Sequence, residues 1–195
     1  MDPLEARGAK AEGDRLLVRL VAPDEVGPWN ELMAGHHYLG LRVLVGESLK
    51  YVAEQGGRWL ALLGWGAAAF KCRPRDRWIG WTPSQQWRRL RYVANNLRFL
   101  ILPGERRPNL ASQVLGANLR RLSQDWQAVF GHPIVLAETF VDPDFPGTCY
   151  RAAGWQDLGQ TQGYRRNGGR YSFHGRPKTI WVRPVQRRGR AWLAA

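Results

Sequence analysis

Residues 97–141 read LRFLILPGERRPNLASQVLGANLRRLSQDWQAVFGHPIVLAETFV. The apolar run at 98–102 ends in a Pro-Gly pair, which is typical of a strand buried on both faces and followed by a turn. Apolar residues then recur at helical spacing over 110–126 until Gly131 stops the pattern, and 134–141 is again β-rich. This order of strand, basic loop, long helix and strand predicts one right-handed βαβ crossover with parallel strands.

The basic loop inside this stretch is a candidate anion site. Arg106 and Arg107 precede the helix, and Asn109 is placed to cap its first turn. Backbone N–H groups and the helix dipole make such a position favourable for a negatively charged group.

The patterns on either side of the crossover predict one α+β domain. We expect a flexible tail over 1–14, the domain over 15–162, and a basic, aromatic-rich arm over 163–195. The predicted order is strand, helix, two strands, helix, strand, long helix, strand, short helix and strand. That order resembles the Gcn5-related N-acetyltransferase fold, a mixed sheet that is splayed in its middle and flanked by helices.

The charge of the chain indicates a polyanionic partner. The 195 residues include 29 Lys and Arg against 16 Asp and Glu, a net charge of +13. Most of the excess is Arg, which suits bidentate phosphate contacts and stacking on bases. DNA, double- or single-stranded, is the simplest such partner, and the alternative is a basic protein without a specific nucleic-acid role.

Cysteine content and hydropathy predict a cytoplasmic protein. Cys72 and Cys149 are the only cysteines and form no CxxC pair, so we expect free thiols and no structural zinc. We recognise no signal peptide, and no apolar run approaches the roughly 20 residues of a membrane span.

Two basic stretches interleaved with aromatic residues are predicted to contact DNA. The first is a loop over 71–81, before a helix capped by Ser84, and the second lies in the arm. Arg beside Trp or Tyr suits phosphate contacts together with stacking on unpaired or flipped bases. The alternative for the arm is a solvated segment that binds DNA non-specifically. The residues predicted to bind nucleic acid are Arg73, Arg75, Arg77, Trp78, Trp81, Arg165, Arg166 and Arg170.

Six phrases, in order, resemble the DruA-like family. They are HHYLG (36–40), RDRWIGW (75–81), NNLRFLILP (95–103), PNLAS (108–112), ETFVD (138–142) and GTCYRAAGW (147–155). Members of this family occur in Druantia anti-phage defence systems and as the N-terminal part of certain transposases. The resemblance therefore implies DNA and other defence or transposition proteins as partners.

A second, weaker resemblance is to the Mom-type DNA-modification proteins, which have an acetyltransferase-like fold and act on adenine. It implies transfer of a group from a bound donor, either acyl-CoA-like or of another kind. Acetyltransferases usually have glycine in their phosphate loop where this chain has Leu110 and Ser112, which disfavours ordinary acetyl-CoA. The residues expected to hold the donor are Arg98, Arg106, Arg107, Asn109, Leu110 and Ser112.

Candidate catalytic residues lie near the first helix, after the long helix and in the last short helix. One of two adjacent histidines would act as acid or base beside a carboxylate, or would contribute to an open iron site. The alternative is that one histidine bonds the backbone and the other is exposed. The candidates are His36, His37, Tyr38, Glu138, Asp142 and Tyr150.

Glu138 interrupts an apolar strand, and this position leaves two interpretations. Burial would raise its pKa and make it a possible general base, whereas pairing with Arg98 would make it structural. Tyr150 would donate a proton, or would be a core aromatic residue with a satisfied hydroxyl.

Two functional hypotheses follow. In the first, the protein is an enzyme that modifies a nucleobase by group transfer, with His37 or Glu138 as base and Tyr150 as acid. In the second, it is a non-catalytic DNA-recognition module of a transposase or an anti-phage complex.

Overall fold

The computed structural model describes residues 15–42, 44, 46–167, 170–173 and 175–195, without the side chains of 164–167 and 170–172. The predicted tail over 1–14 lies outside the described residues.

A seven-stranded mixed sheet forms the centre of the domain. Its strands are β1 (Leu17–Leu20), β2 (Leu49–Gln55), β3 (Arg58–Ala67), β4 (Val93–Ile101), β5 (Leu136–Val141), β6 (Gln156–Gln160) and β9 (Thr179–Pro184). They lie in the order β1-β2-β3-β4-β5-β9-β6, and a separate hairpin consists of β7 (Tyr164–Asn167) and β8 (Arg170–Phe173). The helices are α1 (Val26–His36), α2 (Arg73–Ile79), α3 (Pro83–Arg89), α4 (Leu110–Phe130), α5 (Thr148–Ala152) and α6 (Gly189–Ala194). The predicted α+β mixed sheet is confirmed.

The central crossover is also confirmed. Strands β4 and β5 are parallel, and α4 connects them. The apolar face of α4 packs on the sheet through Val114, Leu115, Leu122 and Trp126, all buried, as its spacing predicts. The helix ends at Gly131, whose φ of 77° is the left-handed conformation that glycine adopts without steric cost.

Between β3 and β4 the local structure differs from the prediction. The expected basic loop over 71–81 contains a helix, α2, which begins at Arg73 directly before a proline. The next helix is capped by Thr82 and not by Ser84, because the Thr82 hydroxyl and the Gln85 side chain form a reciprocal capping box. It ends at Arg89, a short 3-10 turn follows over Leu90–Tyr92, and β4 begins at Val93.

The predicted arm is wrong for residues 179–184. These residues form β9, which lies between β5 and β6 inside the main sheet. Ile180, Trp181 and Val182 are buried on the sheet, and the basic composition around them conceals this short apolar run. The sheet therefore takes its sixth position from a strand that follows the hairpin β7–β8.

Candidate functional site

The site lies where β4 and β5 separate. Their pairing covers three positions and ends at Asn95 opposite Glu138. On its other edge β4 pairs with β3, where Asn96 and Arg98 lie opposite two consecutive residues. Leu97 is therefore an extra, unpaired residue, a β-bulge that bends β4. The Thr139 hydroxyl donates to the Asn96 carbonyl at 2.9 Å and so fixes the point where the two strands diverge.

A large, positively charged cleft begins at this point. Its volume is about 2700 Å³, whereas sites for small ligands occupy about 300–1,000 Å³. Among the side chains that the structure describes, seven basic ones line it, against the two acidic ones Asp142 and Asp144: Arg42, Lys71, Arg73, Arg77, Arg98, Arg176 and Lys178. Aromatic side chains are interleaved with these charges, among them Tyr38, Phe70, Trp78 and Phe145.

Several predicted catalytic residues lie together on one wall of this cleft. His36 ends α1, and the exposed Tyr38 stacks on His37 with ring centroids 4.7 Å apart. On its other side Tyr38 contacts Phe145, at 4.9 Å, in the loop that follows β5. The chain segments after α1 and after β5 therefore contact each other through aromatic rings on this wall.

His37 is positioned as a hydrogen-bond donor. Its pKa is lowered to about 4 by burial and by the charges of Arg98 and Lys178, so the imidazole is neutral at pH 7. Its Nδ1 accepts the backbone N–H of Leu39 at 3.1 Å, which leaves the single proton on Nε2. A neutral imidazole with a protonated Nε2 can donate to a ligand, so this tautomer does not provide a basic Nε2.

Asp142 lies at the end of β5 within an ion-pair cluster. Its carboxylate accepts from Arg176 at 2.6 Å, and Arg176 also contacts Asp144 at 2.7 Å. Burial alone would raise the pKa of Asp142, but the bonds from Arg176 and the Asp144 N–H together hold it below its ordinary value. Asp142 is therefore an ionised acceptor on the cleft.

Lys178 and Arg98 are the cations whose charges act on His37, and the charge of Lys178 also acts on Asp142. Burial lowers the pKa of the Lys178 ammonium, Asp142 opposes that shift, and Arg98 and Arg176 add to it. Arg98 donates to the carbonyl oxygens of Gly40 at 2.9 Å and Leu97 at 2.7 Å, and so ties β4 to the loop after α1. Lys178 therefore lies on the cleft with a pKa below its ordinary value.

Tyr150 lies at the floor of the cleft, on α5. Its buried hydroxyl donates to the Asn96 side-chain oxygen at 2.8 Å, and burial raises its pKa. The Asn96 amide in turn donates to the Arg98 carbonyl at 3.1 Å. The neighbouring Asn95 lines the cleft with a buried side-chain oxygen that has no partner in the described part of the chain.

Glu138 has a structural partner, and this partner is not Arg98. Its Oε2 accepts from Arg75 at 2.9 Å, its Oε1 accepts from the Ala69 N–H at 3.2 Å, and the Glu138 and Arg75 side chains are both fully buried. Burial raises the pKa of Glu138, while the Arg75 guanidinium opposes that shift. Because Glu138 does not line the cleft, the expectation that it acts there as a base is wrong.

The loop before α4 does not form the expected donor site. The Leu110 N–H donates to the Arg107 carbonyl, the Ser112 hydroxyl donates to the Asn109 carbonyl at 2.9 Å, and the Arg107 side chain donates to Gln55. Residues 104–112, including the exposed Arg106, do not line the cleft.

Asn109 also differs from its predicted role. It adopts a left-handed backbone with φ of 61° and makes no side-chain cap hydrogen bond. Of the residues expected to hold a donor, Arg98 alone lines the cleft. Leu110, which is buried, and Ser112 stand where this loop usually has glycine, so the segment lacks the close backbone approach that the pyrophosphate of an acyl-CoA needs.

The residues predicted to bind nucleic acid separate into three groups. Arg73, Arg77 and Trp78 line the cleft. The prediction is wrong for Arg75 and Trp81, because both are buried and the Arg75 guanidinium lies 5.5 Å from the Trp81 ring. The third group is Arg165, Arg166 and Arg170. Their backbone forms part of the hairpin β7–β8, and their side chains lie outside the described part of the structure.

The iron alternative receives no support from the arrangement of ligands. Across the part of the chain that the structure describes, no three His, Cys, Asp or Glu side chains are grouped to hold a metal ion.

No helix in the same part is long and apolar enough to cross a membrane.

Sequence reasoning did not select Lys178, Arg176 or Phe145 as site residues. Lys178 and Arg176 precede β9, and only the insertion of β9 beside β5 brings them to Asp142. The one signal in the sequence was the change from the basic hairpin to the apolar TIWV run directly after Lys178.

Comparisons with known proteins identify both a family and a fold. The family model described as Druantia protein DruA matches residues 7–186. No curated protein matches the chain.

Among solved structures, acetyltransferases are similar. An N-acetyltransferase from Staphylococcus aureus Mu50 is 10% identical with a TM-score of 0.54, over 89% of this chain and 100% of that chain. The ribosomal-protein-S18-alanine N-acetyltransferase from Escherichia coli is 10% identical with a TM-score of 0.57, over 88% and 95%. The aminoglycoside acetyltransferase AAC(6')-Ib in complex with coenzyme A is 14% identical with a TM-score of 0.58, over 90% and 96%.

These structural similarities establish the fold, and the family match spans most of the chain. The splayed β4 and β5, the α4 crossover and the seven-stranded mixed sheet are the features of that fold. The protein is a member of the DruA family of Druantia anti-phage defence, built on a Gcn5-related N-acetyltransferase fold.

Proposed function

We propose that this DruA-family protein acts directly on DNA and transfers a group to a nucleobase held between β4 and β5. The observation that carries the proposal is the cleft itself. Its volume of about 2700 Å³, and the seven basic against two acidic side chains that line it in the described part of the chain, suit a polyanion larger than a small metabolite.

Asp142, Lys178 and His37, which all line the cleft, can support proton transfer from a nucleobase amino group. The Asp142 carboxylate would accept an amino N–H and orient the base. Lys178, whose pKa is lowered by burial, would take the amino proton as the amino nitrogen bonds the transferred group, while the bond between that group and its donor breaks and its electron pair leaves with the donor. The Nε2–H of His37 would donate to charge that develops on the transferred group.

Cations at the rim would hold the DNA backbone. Arg73 and Arg77 lie one turn apart on α2, and both are exposed and line the cleft. Contacts to phosphate position a nucleic acid without reading its sequence. Replacing both by Gln should weaken DNA binding and lower the dependence of log Kd on log salt by about 2, because about one counterion is released per phosphate contact.

Mass spectrometry of nucleosides tests the proposal. Plasmid DNA would be recovered from cells expressing the wild type, Lys178→Met, Asp142→Asn, or the control Arg120→Gln on the exposed face of α4. We expect a new nucleoside with the wild type and the control, and its loss with both cleft variants. An unchanged nucleoside profile in all four samples would contradict group transfer.

A second function, DNA recognition without catalysis, is favoured by one observation. The Tyr150 hydroxyl and the Glu138 carboxylate, both predicted to be catalytic, are bonded within the protein. In that case, DNA binding would depend on Arg73 and Arg77 while no nucleoside would change. The family places the protein beside other Druantia components, which would then supply the reaction.

A further inference from the structure

An exposed aromatic pair extends the cleft onto the surface of α3. Trp87 is 76% exposed and Phe70 is 48% exposed, and their ring centroids lie 6.0 Å apart at 83°. The Gln86 side chain donates to the Phe70 carbonyl and fixes α3 against the segment that carries Phe70. Phe70 lines the cleft, so the pair forms a continuous path from the cleft to the surface.

The other tryptophans of this region are less exposed, since Trp78 is half-buried and Trp192 is 44% exposed with the Arg89 guanidinium 5.2 Å from the centre of its ring. Trp81 is buried, and the Arg190 guanidinium lies 4.7 Å from the centre of the Trp78 ring. Trp87 in α3 is therefore the most exposed tryptophan of this region. Together with Phe70 it forms a contiguous exposed apolar patch, which is a feature typical of interaction sites.

The charge around the pair specifies the chemistry of that partner. Exposed cations flank it on both sides, with Lys71 and Arg73 after Phe70, and Arg88 beside Trp87. Between Phe70 and Gly104 the sequence contains one acidic residue, Asp76, and its carboxylate bonds Arg75 and the Cys72 N–H within the protein. An aromatic surface in a positive field suits a ligand with flat rings and phosphates, and does not suit an acidic peptide without aromatic groups.

We infer that Trp87 and Phe70 form a stacking site for an unpaired nucleobase next to the cleft. A duplex covers the faces of its bases by stacking them on one another, so only a single-stranded or extrahelical base can present its face to Trp87. The cations beside the pair bind the phosphates on either side of that base. This inference rests on the proposed action on DNA and narrows the substrate to DNA with an unpaired base.

Binding of labelled oligonucleotides by fluorescence anisotropy tests the inference. The probes are a single strand of about 12 nucleotides, long enough to fill one single-strand site, and the blunt duplex of the same sequence, measured at one salt concentration. Trp87→Ala should weaken single-strand binding about tenfold and leave duplex binding within about twofold. Trp87→Phe should retain most of the single-strand affinity because it keeps a stacking ring, and Arg88→Gln should weaken both probes because it removes a phosphate contact.

The outcomes separate this inference from the proposed function. If the wild type binds the single strand and Trp87→Ala binds it equally well, the stacking site is refuted while action on DNA stands. If Trp87→Ala loses both probes to the same degree, stacking on an unpaired base is likewise refuted. If the wild type binds neither probe, the proposed function itself fails.

Discussion

Replacing Glu138 by Gln should make the protein easier to unfold, and should not act as the removal of a catalytic base. Glu138 and Arg75 are both fully buried, and their side chains meet at 2.9 Å on the inner side of the cleft wall. Whichever way the introduced amide turns, its NH₂ group faces either the Arg75 guanidinium or the Ala69 N–H, both of which are donors. The substitution therefore loses a charge and at least one hydrogen bond in a site without access to solvent.

The size of this stability loss depends on the hydrogen bonds that Arg75 keeps after the substitution. Removing one partner of a buried ion pair costs about 3–5 kcal/mol. Asp76 keeps two hydrogen bonds to Arg75, at 2.9 and 2.8 Å, so the charge is still compensated in part. We expect a loss near the lower limit, about 3 kcal/mol. For a chain of this length that loss lowers Tm by roughly 6–12 °C.

Urea unfolding followed by far-UV circular dichroism measures this loss directly. The matched control is Glu31→Gln at an exposed position of α1, which should change the free energy of unfolding by no more than about 0.5 kcal/mol. The midpoint should shift for Glu138→Gln while the slope with urea stays constant. A Glu138→Gln protein with wild-type stability and no product would refute the structural role and make Glu138 catalytic.

Three further predictions concern the pH response and the packing of the fold. The pKa of His37 is lowered to about 4, so an NMR titration should find its ring neutral at about pH 5.5. The His37→Gln variant identifies the signal of this ring by its absence. A titration midpoint near the ordinary value of 6.5 would contradict the burial of His37. Because the unfolded chain binds this proton first, the stability that His37 contributes is complete above pH 6.5 and is lost as the pH falls towards 4. Tyr150→Phe should lower the free energy of unfolding, measured in urea, by about 1–3 kcal/mol, because it leaves the buried Asn96 side-chain oxygen without its donor. A loss near zero would show that water replaces the hydroxyl. Gly189→Ala should lower Tm, because the new Cβ would lie 2.7 Å from the Val135 carbonyl oxygen. The control is Gly116→Ala within α4, where the added Cβ has room, and it should raise stability by about 0.5–1 kcal/mol. Equal effects of the two substitutions on Tm would contradict the packing of α6.

The crossover was predictable because its signals are local. The apolar spacing of α4, the glycine at its end and the β-rich run after it all lie within one continuous stretch, and each is a consequence of local geometry. The residue order around this stretch also predicted the mixed sheet. His37, Tyr38, Asp142 and Tyr150 were selected as site residues from the same order, and all of them line the cleft.

The parts that were missed depend on contacts between distant segments. Arg75 and Glu138 are 63 positions apart, so no local pattern favoured Arg75 over Arg98 as the partner. The insertion of β9 beside β5 is a second case, since a strand of six residues in a basic segment carries a weak periodic signal. It is this insertion that brings Lys178 to the site.

Photochemical crosslinking would test most directly whether DNA occupies the cleft. A single-stranded oligonucleotide containing 5-bromodeoxyuridine would be irradiated with the protein, and the modified peptides would be mapped by mass spectrometry. We expect adducts within 70–78, 87–91 and 139–150, and their loss when Arg73 and Arg77 are both replaced by Gln. Adducts confined to the outer face of α4, with none in those segments, would contradict the placement of DNA between β4 and β5.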